Sequence, residues 1–469
     1  WRELSERLAN LAASRDDRPA APGVDVGELQ EEADRLEAAL ARRSALFRGE
    51  STGDEVRWQD VQAVLRPGEA AVEMVRFEDE GEIVYALVVL GGQAPPRAFF
   101  LDSGEEIERR AYELYRRWIR AMESGSRYEL WEFSQEWGGA GVPQLHAYLG
   151  ETLWEPIARA IDEHVGAAPT VYLSPDGVYN LVNLSILEKA GQPLSERRSI
   201  RMVTSTRRLV EEREGSAAGA APRGEGSVVL LGNPEFATDD DLQRLDPPWV
   251  APLYRWDGVP LAPLDRLEEG LRAIARLVDE RSAEGSVSSP LVRSQASEEN
   301  LARAAERPRV LHLATHGFFL DGEEAGSDPL ANGGLYLAGA QDSLAYGGMP
   351  PGAQSDGILT GREAGLLDLR GTELVVLSAC ETGLGEVRSG EGVYGLLRGF
   401  QAAGARTIVV SRWQVAEETT SVFMEKLYEG WIGGASIREA FETARERLRA
   451  DPRYASPYHW GAFELVDGL

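Results

Sequence analysis

Two residues carry most of the chemistry this sequence offers. His316 closes the stretch RVLHLATH and is followed by Gly317; Cys380, the only cysteine, closes ELVVLSAC and is followed by Glu381-Thr382-Gly383. Both stretches are apolar runs of strand length that stop at a polar, glycine-containing turn. A thiol beside an imidazole meets the requirements of nucleophilic catalysis, because the imidazole can take the thiol proton or hold the thiolate as an ion pair. General-base action of this kind typically contributes about 10²–10⁴-fold. The tetrahedral oxyanion also needs donors. Gly317 has no side chain, so its N–H can approach a substrate carbonyl closely, and with the Cys380 N–H it could form an oxyanion hole, each donor worth roughly 3 kcal/mol. Taken singly, a strand-end cysteine reads as well as small core filler, and a strand-end histidine as a structural group. Spacing alone leaves those readings open.

The elements that must position the pair lie in the second half of the chain. From residue 227 onward, apolar strands (SVVLLGN, RVLHLATH, ELVVLSAC, RTIVVSRW and a closing YHWGAFELV) alternate with helices, among them LDRLEEGLRAIARLVDE, GVYGLLRGFQAAGA and TTSVFMEKLYEGW. LVRSQA reads as a short strand before the helix SEENLARAAE, and Ser436 with Glu439 forms a capping box opening a last helix. This alternation predicts an α/β fold with a mainly parallel sheet covered on both faces. Ligands then bind outside the carboxyl ends of the strands. If the strands ending at His316 and Cys380 are parallel neighbours, both side chains emerge on one rim. The residues between them suffice for a crossover and an insertion. His312, earlier in its strand, reads as structural.

Four regions are expected: a helical segment over 1–55, a non-catalytic α/β lobe over 56–210, a linker over 211–226 and the catalytic domain over 227–469. In the first, Leu29, Leu36, Leu40 and Phe47 recur near helical spacing. In the second, EAAVEMVRF and EIVYALVVL flank Asp79-Glu80-Gly81 as a hairpin, helices follow near 104–122 and 144–164, and TVYLSPDGVYN is a strand entering a turn. The linker EEREGSAAGAAPRGEG is rich in Gly, Ala, Pro and charge. The chain begins at Trp1 without a methionine, as expected of a fragment.

Composition narrows the function classes. The 469 residues are 43% apolar and 27% charged, with a formal net charge of −28. That acidity argues against nucleic acid as a direct partner. No apolar run approaches a membrane span, and the start lacks a secretory core. A lone cysteine fits a reducing, cytoplasmic setting. The only lysines, Lys189 and Lys426, lack the context of a phosphate-binding loop. Gly383, Gly385 and Gly390 do not match a dinucleotide fingerprint. His312 and His316 have the spacing of a zinc helix but lie in a strand context. No metal or organic cofactor is expected.

HLATHGFF, GILTGREAGLLDLRGTELVVLSACETGLGEV and GEGVYGLLRGFQAAGARTIVVSRWQV resemble the CHAT family of caspase-like cysteine peptidases, from the clan of caspases, separase and gingipains. A weaker likeness extends over 67–210. The resemblance implies that His316 and Cys380 form the catalytic dyad of an endopeptidase acting through a thioester acyl-enzyme on a protein substrate. Where relatives show Trp, Val and an Asp-Glu pair, this chain has Trp413-Gln414-Val415-Ala416-Glu417-Glu418. Related peptidases bind a basic P1 side chain in an acidic pocket near this region, which suggests cleavage after Arg or Lys. Glu417, Glu418, Asp356 and Glu391 are the acidic candidates. The competing reading of Glu417 and Glu418 is that they charge the first turn of the next helix, worth about 0.3–1 kcal/mol against its dipole. Relatives often carry tetratricopeptide repeats upstream, are restrained until a partner or signal acts, and in bacteria are linked with signalling, programmed death or phage defence. An activating protein bound through the N-terminal helical region is therefore expected. The alternative is a caspase-like signalling scaffold without turnover.

Overall fold

The computed structural model describes most of residues 56–466. Residues 1–55 and 467–469, the segments 125–141, 214–226, 238–260, 282–288, 320–329 and 379–394, and a few shorter breaks lie outside the described residues. The segment 1–55 expected to be helical, nearly all of the expected linker, Cys380 and Glu391 are among them.

The first half begins with a short helix, Trp58–Val64, and the strands β1 (Glu69–Asp79), β2 (Glu82–Gly91) and β3 (Arg97–Leu101). β1 and β2 form the expected hairpin, paired antiparallel from Ala70↔Gly91 to Asp79↔Glu82. Helical segments then lead to β4 (Thr170–Ser174), a two-residue hairpin of β5 (Glu188–Lys189) and β6 (Gln192–Pro193), and β7 (Ser199–Met202). The second half contributes β8 (Val228–Pro234), β9 (Leu291–Arg293), β10 (Val310–Ala314), β11 (Gly317–Phe319), β12 (Gly333–Tyr336), β13 (Ile358–Thr360), β14 (Leu374–Ser378), β15 (Thr407–Ser411) and β16 (Phe463–Val466).

Eleven strands form one sheet in the order β3-β2-β1-β4-β7-β16-β15-β14-β10-β8-β9. It is antiparallel only at β1–β2, β2–β3 and β15–β16. In β10, β14 and β15 every residue is buried. This is why VLHLA, LVVLS and TIVVS read as continuous apolar runs: helices cover both faces of a parallel sheet. Val310, Ala314 and Val376 belong to the core beneath the helices Asp265–Arg281 and Glu417–Ile432, while Leu311, Leu313, Val375 and Leu377 face the helices Glu298–Ala304 and Gly395–Ala402. The Ser436–Glu439 capping box opens the helix Ile437–Ala450 as expected.

The two halves share the sheet through a single pairing, Met202↔Val466 between β7 and β16. Side chains reinforce this narrow join. Buried Arg412 forms an ion pair with Glu464 and donates to the Asn180 carbonyl at 2.5 Å. The Asn183 amide donates to the Gly461 carbonyl at 2.8 Å. Gly461 approaches the first half so closely that an added Cβ would lie 2.2 Å from the Ile186 methyl Cγ2. Trp413, just beyond β15, packs edge-on against Tyr115 and Trp118 of the first half.

Candidate active site

β10 and β14 are parallel neighbours, paired from Val310↔Leu374 to Ala314↔Ser378. His312, in the middle of β10, is fully enclosed. Its Nε2 lies 3.0 Å from the Ser378 hydroxyl and its Nδ1 3.3 Å from the Tyr428 hydroxyl, and its ring stacks on that tyrosine. Burial pushes its pKa down to about 3, so this imidazole is neutral and ties β10, β14 and the helix Glu417–Ile432 together. The structural reading of His312 agrees with this.

His316 continues the Val310, His312, Ala314 face two residues past the strand end. Its Nε2 is 2.8 Å from the Ala262 carbonyl oxygen, and its ring lies 5.2 Å from that of Phe236, tilted by 40°. A carbonyl only accepts, so Nε2 carries the hydrogen and Nδ1 is the basic nitrogen of the neutral ring. Ala262 precedes the helix Asp265–Arg281, and three unpaired N–H groups at that helix start are satisfied by distant residues. Leu264 N–H donates to the Asn233 side chain at 2.7 Å. Arg266 and Leu267 N–H donate to one carboxylate oxygen of Glu417, at 3.1 and 3.2 Å. Asn233, at the end of β8 with a left-handed φ of 45°, also donates to Asp265 and Glu268. Strand end, helix start and imidazole are thus linked through the Ala262 carbonyl.

Gly317 opens β11, in the small antiparallel sheet β11-β12-β13. Tyr336 N–H donates to the His316 carbonyl at 2.9 Å. That bond makes Gly317 and Leu335 a non-hydrogen-bonded pair, so the Gly317 N–H is turned away from the β12 ladder.

The acidic candidates are dispersed. Glu417 is engaged at the helix start just described. Glu418 is half exposed, accepts from the Tyr454 hydroxyl at 2.9 Å and lies 3.6 and 3.9 Å from Arg266 and Arg453. Asp356 packs with Glu298 and Glu363 beside β13. Burial and the negative charge of Asp356 both favour a proton on Glu298. Burial, then the charge of Asp356, raises Glu363 to about 7; burial likewise raises Glu298 and Asp356. Glu363 also caps its own helix through Thr360. Among the described residues no group of three or more His, Cys, Asp or Glu side chains is arranged to hold a metal ion, and no helix is long and apolar enough to cross a membrane.

Sequence reasoning did not find Ala262, Phe236 or Asn233. Ala262 acts through its backbone, which leaves no residue-type signal. Phe236 and Asn233 sit at the end of SVVLLGN, and the rule that sites collect at carboxyl ends of parallel strands was the available clue.

The fold is a large, mainly parallel α/β sheet flanked by helices, with a partly exposed imidazole at one strand end. The CHAT domain model matches residues 144–468, and the chain belongs to the CHAT-domain family. Tetratricopeptide repeat protein 28 of Mus musculus is 28% identical over 196 residues, covering 38% of this chain and 8% of that protein. Its Homo sapiens counterpart is 24% identical over 326 residues, covering 64% of this chain and 12% of that protein. The chain thus spans only about a tenth of these relatives. The separase of the Saccharomyces cerevisiae separase–securin complex superposes with a TM-score of 0.46 at 10% identity, over 99% of this chain and 33% of that one.

Proposed function

We propose that this chain is a cysteine endopeptidase with Cys380 as nucleophile and His316 as proton carrier. The observation that supports this most is the β10–β14 register. Ala314 and Ser378 are direct neighbours on strands about 4.8 Å apart, and each is followed, two residues on, by a member of the dyad. The proposal takes both groups to lie one step past this common edge.

The chemistry follows from the tautomer. With Nε2–H held by the Ala262 carbonyl, Nδ1 takes the Cys380 proton and the thiolate adds to the peptide carbonyl carbon. The oxyanion draws on the N–H of Gly317 and that of Cys380. The C–N bond breaks as Nδ1 returns its proton to the leaving amine, giving a thioester. Water then loses a proton to Nδ1 as its oxygen adds to the acyl carbon. The C–S bond breaks, the acid is released and the thiol is restored. Asn233 and Glu417 hold the Ala262 segment and so position the imidazole.

For specificity, we assign Glu418 to a basic P1 side chain: it already draws two guanidinium groups and remains half exposed. Residues 227–469 act as the catalytic domain and 56–210 as a non-catalytic partner. An activating protein acts through residues 1–55. The test compares new protein termini in cells carrying the wild type and Cys380→Ala, followed by a positional-scanning peptide library. Termini that depend on Cys380 and follow Arg or Lys are expected. An unchanged set of termini, with the activating signal present, overturns the peptidase; Cys380-dependent cuts without a basic P1 overturn only the Glu418 assignment.

A further inference from the structure

Among the described residues, the first half of the sheet leaves part of one face uncovered. On β1, β2 and β3 the residues Ala70, Val72, Met74, Tyr85, Leu87, Val89 and Leu101 are enclosed by helices. The alternate residues look the other way. Toward the start of β1 that second face is covered: Val61 of the helix Trp58–Val64 packs with Ala71, Leu90 and Tyr172. Toward the hairpin tip it is open. Val75, Ala86 and Phe100 form one row across the three strands, with Phe77 and Val84 beside them. Phe100 is 61% exposed and Val75 39%. A solvated antiparallel face normally alternates apolar with polar residues. Here both faces are apolar, so the composition is that of a sheet covered twice, and a contiguous exposed patch of this kind marks a contact surface.

The chain supplies a match. In residues 28–48, ELQEEADRLEAALARRSALFR after Gly27, the spacing of Leu29, Ala33, Leu36, Leu40 and Phe47 is that of one helix side, with charged residues between them. This stretch precedes the helix Trp58–Val64, which covers the neighbouring part of the same face. Gln62 ties the helix Trp58–Val64 to the β2–β3 turn through the Gly92 and Ala94 carbonyls, at 2.8 and 2.9 Å. Trp58, one turn earlier on the same side and 40% exposed, marks where the upstream chain arrives. Eight residues separate Phe47 from Val56, a reach of up to about 28 Å. Charge agrees as well: Arg42, Arg43 and Arg48 flank the Phe47 end of the stripe, and Glu78, Asp79 and Glu82 stand exposed at the hairpin tip.

We propose that the amphipathic segment 28–48 of this same chain docks its Leu29–Leu36–Leu40–Phe47 stripe on the open face of β1–β3, with its arginine end toward the hairpin tip. The upstream region is thereby anchored to the non-catalytic half, on a surface separate from the strand ends that carry His316.

Because Cys380 is the only native thiol, cross-linking gives a direct test. In the 469-residue Cys380→Ala chain, Phe100→Cys is combined with Leu36→Cys, with Leu40→Cys or, away from the stripe, with Arg42→Cys, and reacted with a short bis-maleimide at low protein concentration. Monomer-sized cross-links are expected, forming several-fold faster with Leu36→Cys or Leu40→Cys than with Arg42→Cys. Hydrogen exchange provides a second readout. Leu36→Ser with Leu40→Ser should speed exchange of the β3 amides while the β10 amides keep their protection, which shows that the fold is intact. Cross-links only between two molecules would overturn the proposal in favour of a second copy. Equal rates for both helix sides, with β3 exchange unchanged, would overturn it in favour of a separate partner.

Discussion

In the first half of the sheet β4 stops at Ser174 and the chain turns through Asp176; in the second half β10 stops at Ala314 and the chain turns through His316. Both are parallel strands in the middle of their half, yet their ends are finished differently. Asp176 is buried, with one oxygen accepting from Gly177 N–H at 2.7 Å and the other from Arg76 N–H at 2.7 Å. Beside it the Tyr85 hydroxyl accepts from Val178 N–H and donates to Glu108, which Arg76 neutralises. The Asp176 carboxylate is thus spent on backbone N–H groups of the fold. His316 commits one ring nitrogen to Ala262 and stays partly exposed. The same architecture therefore gives a closed corner in one half and an open one in the other. What separates them is whether a strand-end side chain keeps bonding capacity that the fold does not consume.

The strongest way to break this comparison is to remove each corner in turn. His316→Ala should lower kcat/KM on a cleaved peptide by about 10²–10⁴-fold while leaving Tm nearly unchanged. Asp176→Asn should do the reverse, costing about 1–3 kcal/mol in urea unfolding with kcat intact. Loss of activity in Asp176→Asn at full stability would show that the first corner takes part in the reaction. The join between the halves is the next target. Gly461→Ala forces a methyl against Ile186 and should destabilise by about 1–3 kcal/mol, splitting one unfolding transition into two if the halves are separately stable. Glu417→Ala frees two N–H groups at the helix start behind Ala262 and should cost about 1 kcal/mol. It should also lower kcat more than it raises KM, an outcome that a merely structural cap would not give.

The remaining effects are in pH dependence, and the two halves oppose one another. Burial holds His146, packed edge-on against Trp118 in the first half, down to about 4. The unfolded chain binds that proton more readily, so stability is complete above the ordinary histidine range and falls as pH drops toward 4. Glu363 in the second half is raised to about 7. There the folded state holds the proton more readily, so its contribution is complete below the ordinary carboxyl range and falls as pH rises through 7. His146→Phe should flatten the acid limb of a stability–pH curve measured by chemical unfolding, and Glu363→Gln the limb between pH 5 and 8. Unchanged limbs would show that neither group is held as its surroundings require.

The local elements were legible because each has a local cause. Runs such as VLHLA and LVVLS announce strands buried on both faces, the Asp79–Gly81 turn announces a hairpin, and Ser436 with Glu439 announces a helix start. His316 and Gly317 were legible because a histidine and a glycine are recognisable where an apolar run ends. Glu417 was legible as a charged residue at a helix start, but its contact was not: it caps the helix Asp265–Arg281 about 150 positions away in sequence.

By itself the sequence determined the period of each element, the ends of the strands and the residue types placed there, since these depend on near neighbours and side-chain chemistry. The tertiary structure alone decided that β7 meets β16, that the Ala262 carbonyl selects the tautomer of His316, and that Asp356 shares its site with Glu298 and Glu363. Each of these is a meeting of distant segments, often through backbone atoms that every residue possesses, and such a meeting has no local cause to read.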